Sequence, residues 1–198
     1  MSSAERERAF VIGSGDISAA CAAKLATDGF DTMTFAPDTC PEALVEAAEG
    51  AVPFGVVLAL DEHLAVPGDW TTEWRGAVAE VLRNAYAQTR ALARLIMRER
   101  RGRIIYVVAA DGLTGSGTES ARAVASASLA GMARSVAREL APRSVNVNTV
   151  AYGTAEDAPL GRLPSTDEVA AAVAYLMSEG AAAVSGQVLS VDSGMVMR

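Results

Sequence analysis

Gly13-Ser-Gly-Asp-Ile-Ser18 is a loop of the kind that can approach a phosphate. Residues without a β-carbon let the backbone close on an anion, and a helix opening just after them aims its N–H groups and positive dipole end at it. The spacing Gly13-x-Gly15-x-x-Ser18 comes within one glycine of the dinucleotide fingerprint, and it follows one apolar run and opens a helical one. Asp16 works against that chemistry. A carboxylate about 4 Å from a phosphate costs up to ~4 kcal/mol at a surface-like dielectric, where micromolar binding is worth only ~8 kcal/mol in all. Asp16 also suits an empty loop, as an acidic cap on its helix. Either way no cofactor is expected on Gly13, Gly15, Asp16 and Ser18. Phe35 and Ala36 stand where a ribose-binding acid belongs, with Asp38 beyond.

Asp61, Glu62, Asp111 and Tyr152, at or just past the C-terminal ends of predicted strands, form a second set with Arg122, at the start of a predicted helix. In doubly wound sheets those ends face the ligand cleft. Asp61, Asp111, Arg122 and Tyr152 are therefore the candidates for acid–base chemistry there, against the plainer alternative of a solvated rim. His63, the one histidine, has no Ser, Cys or Glu at motif spacing and reads as a loop residue. Cys21 and Cys40 are not spaced as a metal pair, and no metal site is expected.

Apolar runs that alternate with amphipathic stretches position these residues. Strands are predicted at Ala9–Gly13, Phe30–Phe35, Phe54–Leu60, Arg103–Ala109, Ser144–Val150 and Gln187–Val191. Helices are predicted at Ile17–Thr27, Pro41–Ala48, Thr71–Arg100, Ser120–Leu140 and Thr166–Ser178, the last opened by a capping box of Ser165 and Glu168. Strict strand–helix alternation predicts an α/β fold, a Rossmann-like doubly wound parallel sheet of six strands in a single domain over residues 1–198.

The long helix carries two apolar lines, Trp74, Val78, Val81, Ala85, Leu92 and Ile96 on one side and Leu82, Tyr86, Ala93 and Met97 on another. One side can face the sheet; the other needs a cover, from this chain or a partner. Ala123, Ala127 and Gly131 make the following helix smooth enough for close approach.

A net charge of −7 excludes nucleic-acid binding through the phosphate backbone. The basic run Arg98–Arg103 complements the negative end of its helix. No window is long and apolar enough for a membrane span, and reduced thiols in the cytoplasm are the expectation.

Several segments in order resemble the short-chain dehydrogenase/reductase family, above all its ketoacyl-ACP-reductase-like members. They are Gly102-Arg-Ile-Ile105 with Gly112-Leu-Thr-Gly115; Ser135 to Arg143 with Val145-Asn-Val-Asn148; Pro159-Leu-Gly-Arg162; Asp167-Glu-Val-Ala170; Ser185-Gly-Gln187; and Val191-Asp-Ser-Gly194. The resemblance places the family's catalytic Ser at Ala109, its Tyr at Arg122, its Lys at Ser126 and its helix Asn at Val81. The Asn-Asn-Ala-Gly segment reads Ala59-Leu-Asp-Glu62, and Tyr152 replaces the Pro before Gly153. Arginine stays protonated at any usable pH and cannot serve as the general acid.

With Leu25 and Gly29 set against their family counterparts, the glycine loop is one residue short. The resemblance also implies a lost strand–helix unit between Phe35 and Val56 and a lost substrate lid after Gly153. What it retains are the helices at 71–100 and 118–140 and the C-terminal strand, used for subunit contacts in the family. The expectation is a catalytically inactive homologue acting as a structural or regulatory subunit, in a hetero-oligomer with an active ketoreductase or paired with itself. The alternatives are a repurposed cofactor-free cyclase, dehydratase or isomerase, or a weak reductase using NADP or NAD.

Overall fold

The six apolar runs pair side by side as one parallel sheet. In the computed structural model, which describes residues 6–60, 62, 64, 72–155 and 158–197, the strands are β1 (Arg8–Ile12), β2 (Asp31–Phe35), β3 (Gly55–Leu58), β4 (Gly102–Ala109), β5 (Val145–Tyr152) and β6 (Val188–Val191). Their order is β2-β1-β3-β4-β5-β6, with every neighbouring pair parallel. Helix α1 (Asp16–Thr27) follows β1, α2 (Pro41–Ala47) follows β2 and α3 (Thr72–Glu99) follows β3. After β4 come α4 (Asp111–Thr114) and α5 (Ser120–Leu140), and α6 (Thr166–Met177) precedes β6.

Alternate strand residues enter two cores, because side chains along a strand point to opposite faces. Phe10, Ile12, Val56, Leu58, Ile104, Tyr106 and Val108 pack beneath α2, α3 and α5. Ala9, Val11, Val57, Ile105 and Val107 pack beneath α1 and α6. Burial on both faces explains why these strands read as continuous apolar runs. The strand order reverses between β1 and β3, and the crevice beyond their C-terminal ends is where such sheets take ligands.

The predicted elements all appear, with ends displaced by a residue or two, since terminal pairing depends on neighbours a local pattern does not reveal. Phe54–Leu60 shortens to β3, Gly55–Leu58, and β5 runs on to Tyr152. The one-turn α4 was not legible, being four residues long and held by contact with α5: a β-carbon on Gly112 would lie 2.5 Å from the Ala127 amide nitrogen. The capping box of α6 forms as read, with the Glu168 N–H donating to Ser165 Oγ at 3.2 Å and the Ser165 N–H to the Glu168 carboxylate at 2.8 Å.

The two lines of α3 part ways. Trp74, Val78, Ala85, Leu92 and Ile96 are buried. On the second line Ala93 is buried against the same core, Leu82 and Met97 are half-buried, and Tyr86 is 59% exposed. Much of the cover that α3 requires thus comes from α5 within the chain, and Tyr86 remains outside it. Helix α3 begins at Thr72; Thr71, assigned to it from the sequence, lies outside the described residues.

Candidate functional site

The pairing of β1 with β3 brings the segment after β3 against the glycine loop. Ile12 aligns with Leu58, and the Ala59 N–H donates to the Ile12 carbonyl at 2.9 Å. The loop is tight: a β-carbon at Gly13 would lie 2.7 Å from Ser18 Cβ and 2.8 Å from the Ala59 carbonyl oxygen. Ser18 Oγ donates to the Gly15 carbonyl at 2.7 Å. Into this loop reaches Glu62. Its Oε1 accepts from the Ile17 N–H at 2.8 Å and its Oε2 from the Ser18 N–H at 3.3 Å. A β-carbon on Gly15 would collide with the Glu62 carboxylate.

The opening amides of α1, the donors a cofactor phosphate needs, are therefore already bonded to a carboxylate of the chain itself. A phosphate at those amides would have to displace that carboxylate, and at close range the two anions repel. A dinucleotide cofactor of the kind the fold family uses does not fit the loop with Glu62 in place. Asp16 is exposed, and the N-cap position, Gly15, has no side-chain cap bond, so the capping role suggested for Asp16 falls to Glu62. Glu62 also acts on Cys21, whose thiol is pushed up to about 12, first by burial and then by the Glu62 charge.

The second cluster lies at the ends of β4 and β5. Ala109, fully buried, sits beside Tyr152 across the two strands. Arg122, in the first turn of α5, donates from Nε at 3.0 Å and from Nη2 at 2.8 Å to Oδ2 of Asp111. Thr154 Oγ1 hydrogen-bonds the other oxygen, Oδ1. The Asp111 side chain is 7% exposed and that of Arg122 21%. Burial lowers the Arg122 pKa, but the Asp111 hydrogen bonds and charge, with smaller contributions from Tyr152 and Glu119, outweigh it and hold it above the ordinary arginine value. Both oxygens of Asp111 are engaged, Oδ2 by Arg122 and Oδ1 by Thr154. Ser126 is fully buried where Gly112 of α4 lies on α5.

Of the four acid–base candidates, the structure brings together Asp111, Arg122 and Tyr152; Asp61 lies outside the described residues, as does His63. The place of Glu62 after β3 puts it at the cleft, but no sequence signal points it at α1. Thr154 carried no signal beyond following Gly153. Val81 lines a cavity at the β1–β3 crevice with Ser14, Pro37, Ala59, Leu60 and Glu62. Its volume is ≈ 170 Å³, below the ~300 Å³ at which ligand pockets begin. The hollows of ≈ 470 and ≈ 610 Å³ open instead around Phe54, Arg101 and Arg103, at the opposite end of the sheet. Among the described residues no group of three His, Cys, Asp or Glu side chains can hold a metal, and no helix is long and apolar enough to cross a membrane.

Comparison with known proteins agrees with this architecture. Residues 69–157 and 153–196 match the family model described as enoyl-(acyl carrier protein) reductase. The 3-oxoacyl-[acyl-carrier-protein] reductase FabG of Escherichia coli (strain K12) is 35% identical over 142 residues, 63% of this chain and 58% of its own length. The 3-oxoacyl-[acyl-carrier-protein] reductase MabA of Mycobacterium avium is 37% identical over 133 residues, 59% of this chain and 52% of its own. The chain thus spans between half and two thirds of the length of these relatives. Among solved structures, acetoin dehydrogenase YohF from Salmonella typhimurium superposes with a TM-score of 0.81 at 26% identity, over 96% of this chain and 97% of that one. An oxidoreductase of the short-chain dehydrogenase/reductase family from Burkholderia thailandensis reaches 0.87 at 21% identity, over 96% and 93%, a likeness of fold.

Proposed function

This chain belongs to the short-chain dehydrogenase/reductase family, and from that premise we propose that it is a non-catalytic member, a structural or regulatory subunit assembled with an active ketoreductase. The observation that carries the reading is the Arg122–Asp111–Thr154 network, which fills the place where the resemblance puts the family's proton donor. Reduction of a carbonyl by hydride needs a group that gives up a proton near neutrality. Arg122 does not, and its guanidinium is committed to Asp111. Ala109 offers no side-chain donor to polarise a carbonyl.

The partner enters through what remains beside the erased chemistry. Tyr86, at 59% exposure on α3, and Val124, at 37% on α5, are large apolar side chains left on the outer faces of these helices. Between the helices lies a groove of ≈ 200 Å³ lined by Tyr86, Met97, Met132 and Val136. Strand β6 forms one edge of the sheet in the described residues, adding a surface for the same partner. A second copy of the chain can use these faces symmetrically, but an active subunit supplies the turnover that this chain lacks.

Co-expression with ketoacyl reductases of the source organism, followed by affinity capture and light scattering, tests the assembly. A mixed oligomer of fixed stoichiometry is expected, weakened by Tyr86→Glu. A chain that stays monomeric beside every candidate refutes the subunit role. Turnover of a ketone with NADPH by the purified chain alone refutes the non-catalytic half.

A further inference from the structure

We propose that Glu62 is an internal ligand that seals the cofactor seat: its carboxylate occupies in cis the anion position at the start of α1, and this contact keeps nucleotide phosphates out. Two donors of that position, the Ile17 and Ser18 N–H groups, end on its two oxygens at 2.8 and 3.3 Å. Gly15 allows the approach, since any β-carbon there would strike the carboxylate. The loop keeps the feature by which glycines admit a phosphate and directs it at a side chain of its own chain.

The anchorage of Glu62 makes this a built contact rather than a passing one. Leu60, two residues before, is buried in the core beneath α3, and Ala59 is tied to Ile12 by a backbone hydrogen bond. The Gly13 N–H in turn donates to the Phe35 carbonyl at 2.9 Å, fixing the other side of the loop. Strand pairing therefore fixes Ala59, three residues before Glu62, beside the glycine loop. A glutamate at position 62 reaches the α1 amides, and an alanine would not. The inference concerns the ligand seat alone and goes beyond the subunit reading, which would survive its failure.

Wild type, Glu62→Ala and Glu62→Gln, each as the full chain, are titrated with inorganic pyrophosphate by calorimetry, while the Ile17 and Ser18 amide resonances are followed by NMR. Wild type is expected to show no saturation at ~10 mM, and Glu62→Ala to bind at least about tenfold more tightly, with both amides shifting. Glu62→Gln keeps the shape and loses the charge, so it is expected between the two; it carries the test if the alanine variant does not fold. Saturable binding by wild type through these amides, as tight as that of Glu62→Ala, overturns the proposal. So does a pair of folded variants that gain nothing. A parallel titration with NADPH reads whether the opened seat takes a whole dinucleotide; binding by wild type at the same amides overturns the proposal as well.

Discussion

Replacing Arg122 with methionine tests whether it is the structural counter-ion of Asp111. In the folded chain, Nε and Nη2 of Arg122 supply two hydrogen bonds to Asp111, whose side chain is 7% exposed. Arg122→Met leaves that carboxylate buried with Thr154 as its remaining partner in the network. Breaking a buried ion pair from one side costs ~3–5 kcal/mol. Water reaches the 21% of the Arg122 side chain that is exposed and softens the loss, so a value near 3 kcal/mol is expected. For a chain of this size, that lowers the melting temperature by about 6–12 °C. Asp111→Val/Arg122→Met removes both charges and is expected to recover most of the stability, because apolar replacement of a whole buried pair is close to neutral. Urea unfolding followed by circular dichroism, on wild type, both single variants and the double, closes the cycle. If the losses simply add within ~0.5 kcal/mol, the two residues are uncoupled and the reasoning fails.

Three further outcomes follow from local geometry. Cys40 is exposed and Cys21 buried with its thiol pushed up to about 12, so iodoacetamide on the native protein should modify Cys40 alone, by mass spectrometry; labelling of Cys21 at the same rate would contradict the burial. The Glu168 carboxyl is held at about 2 by Arg162, then by the Ser165 backbone N–H. Its unfolded value is ~4.3, so the cap contributes fully above that pH and is lost as pH falls toward 2. Protection of the amides in the first turn of α6, measured relative to their intrinsic exchange rates, should fall through that window, and in Glu168→Gln the window should vanish. Gly112→Ala forces a β-carbon to within 2.5 Å of the Ala127 amide nitrogen and should cost ~1–3 kcal/mol despite alanine's better helix propensity; an unchanged urea midpoint would show that α4 does not press on α5.

The legible part of the fold was legible for a physical reason. Strands buried on both faces must be apolar throughout, as in Val56–Leu60 and Ile104–Ala109, and helices between them must carry an apolar stripe. The capping box at Ser165 and Glu168 was readable because both halves of it lie within one helical turn. Helix α4 was not, because four residues have too few internal bonds to announce themselves and are set by Gly112 against Ser126. In the candidate site, Ala109, Arg122 and Ser126 could be named from the sequence only through the resemblance to the family. That Arg122 is paired with Asp111, eleven positions earlier, required the turn after β4 to fold back on α5.

The sequence by itself determined the alternation that makes a doubly wound sheet, the residue types at the positions marked by the family resemblance, and the glycine loop with its acidic neighbours. Only the tertiary structure decided which acid matters there. Asp16, in the loop, points to solvent, while Glu62 arrives from the end of β3, more than forty residues away. The reason is that a side chain's identity is local, whereas its partner is fixed by strand pairing: β1 beside β3 puts a carboxylate on the opening amides of α1.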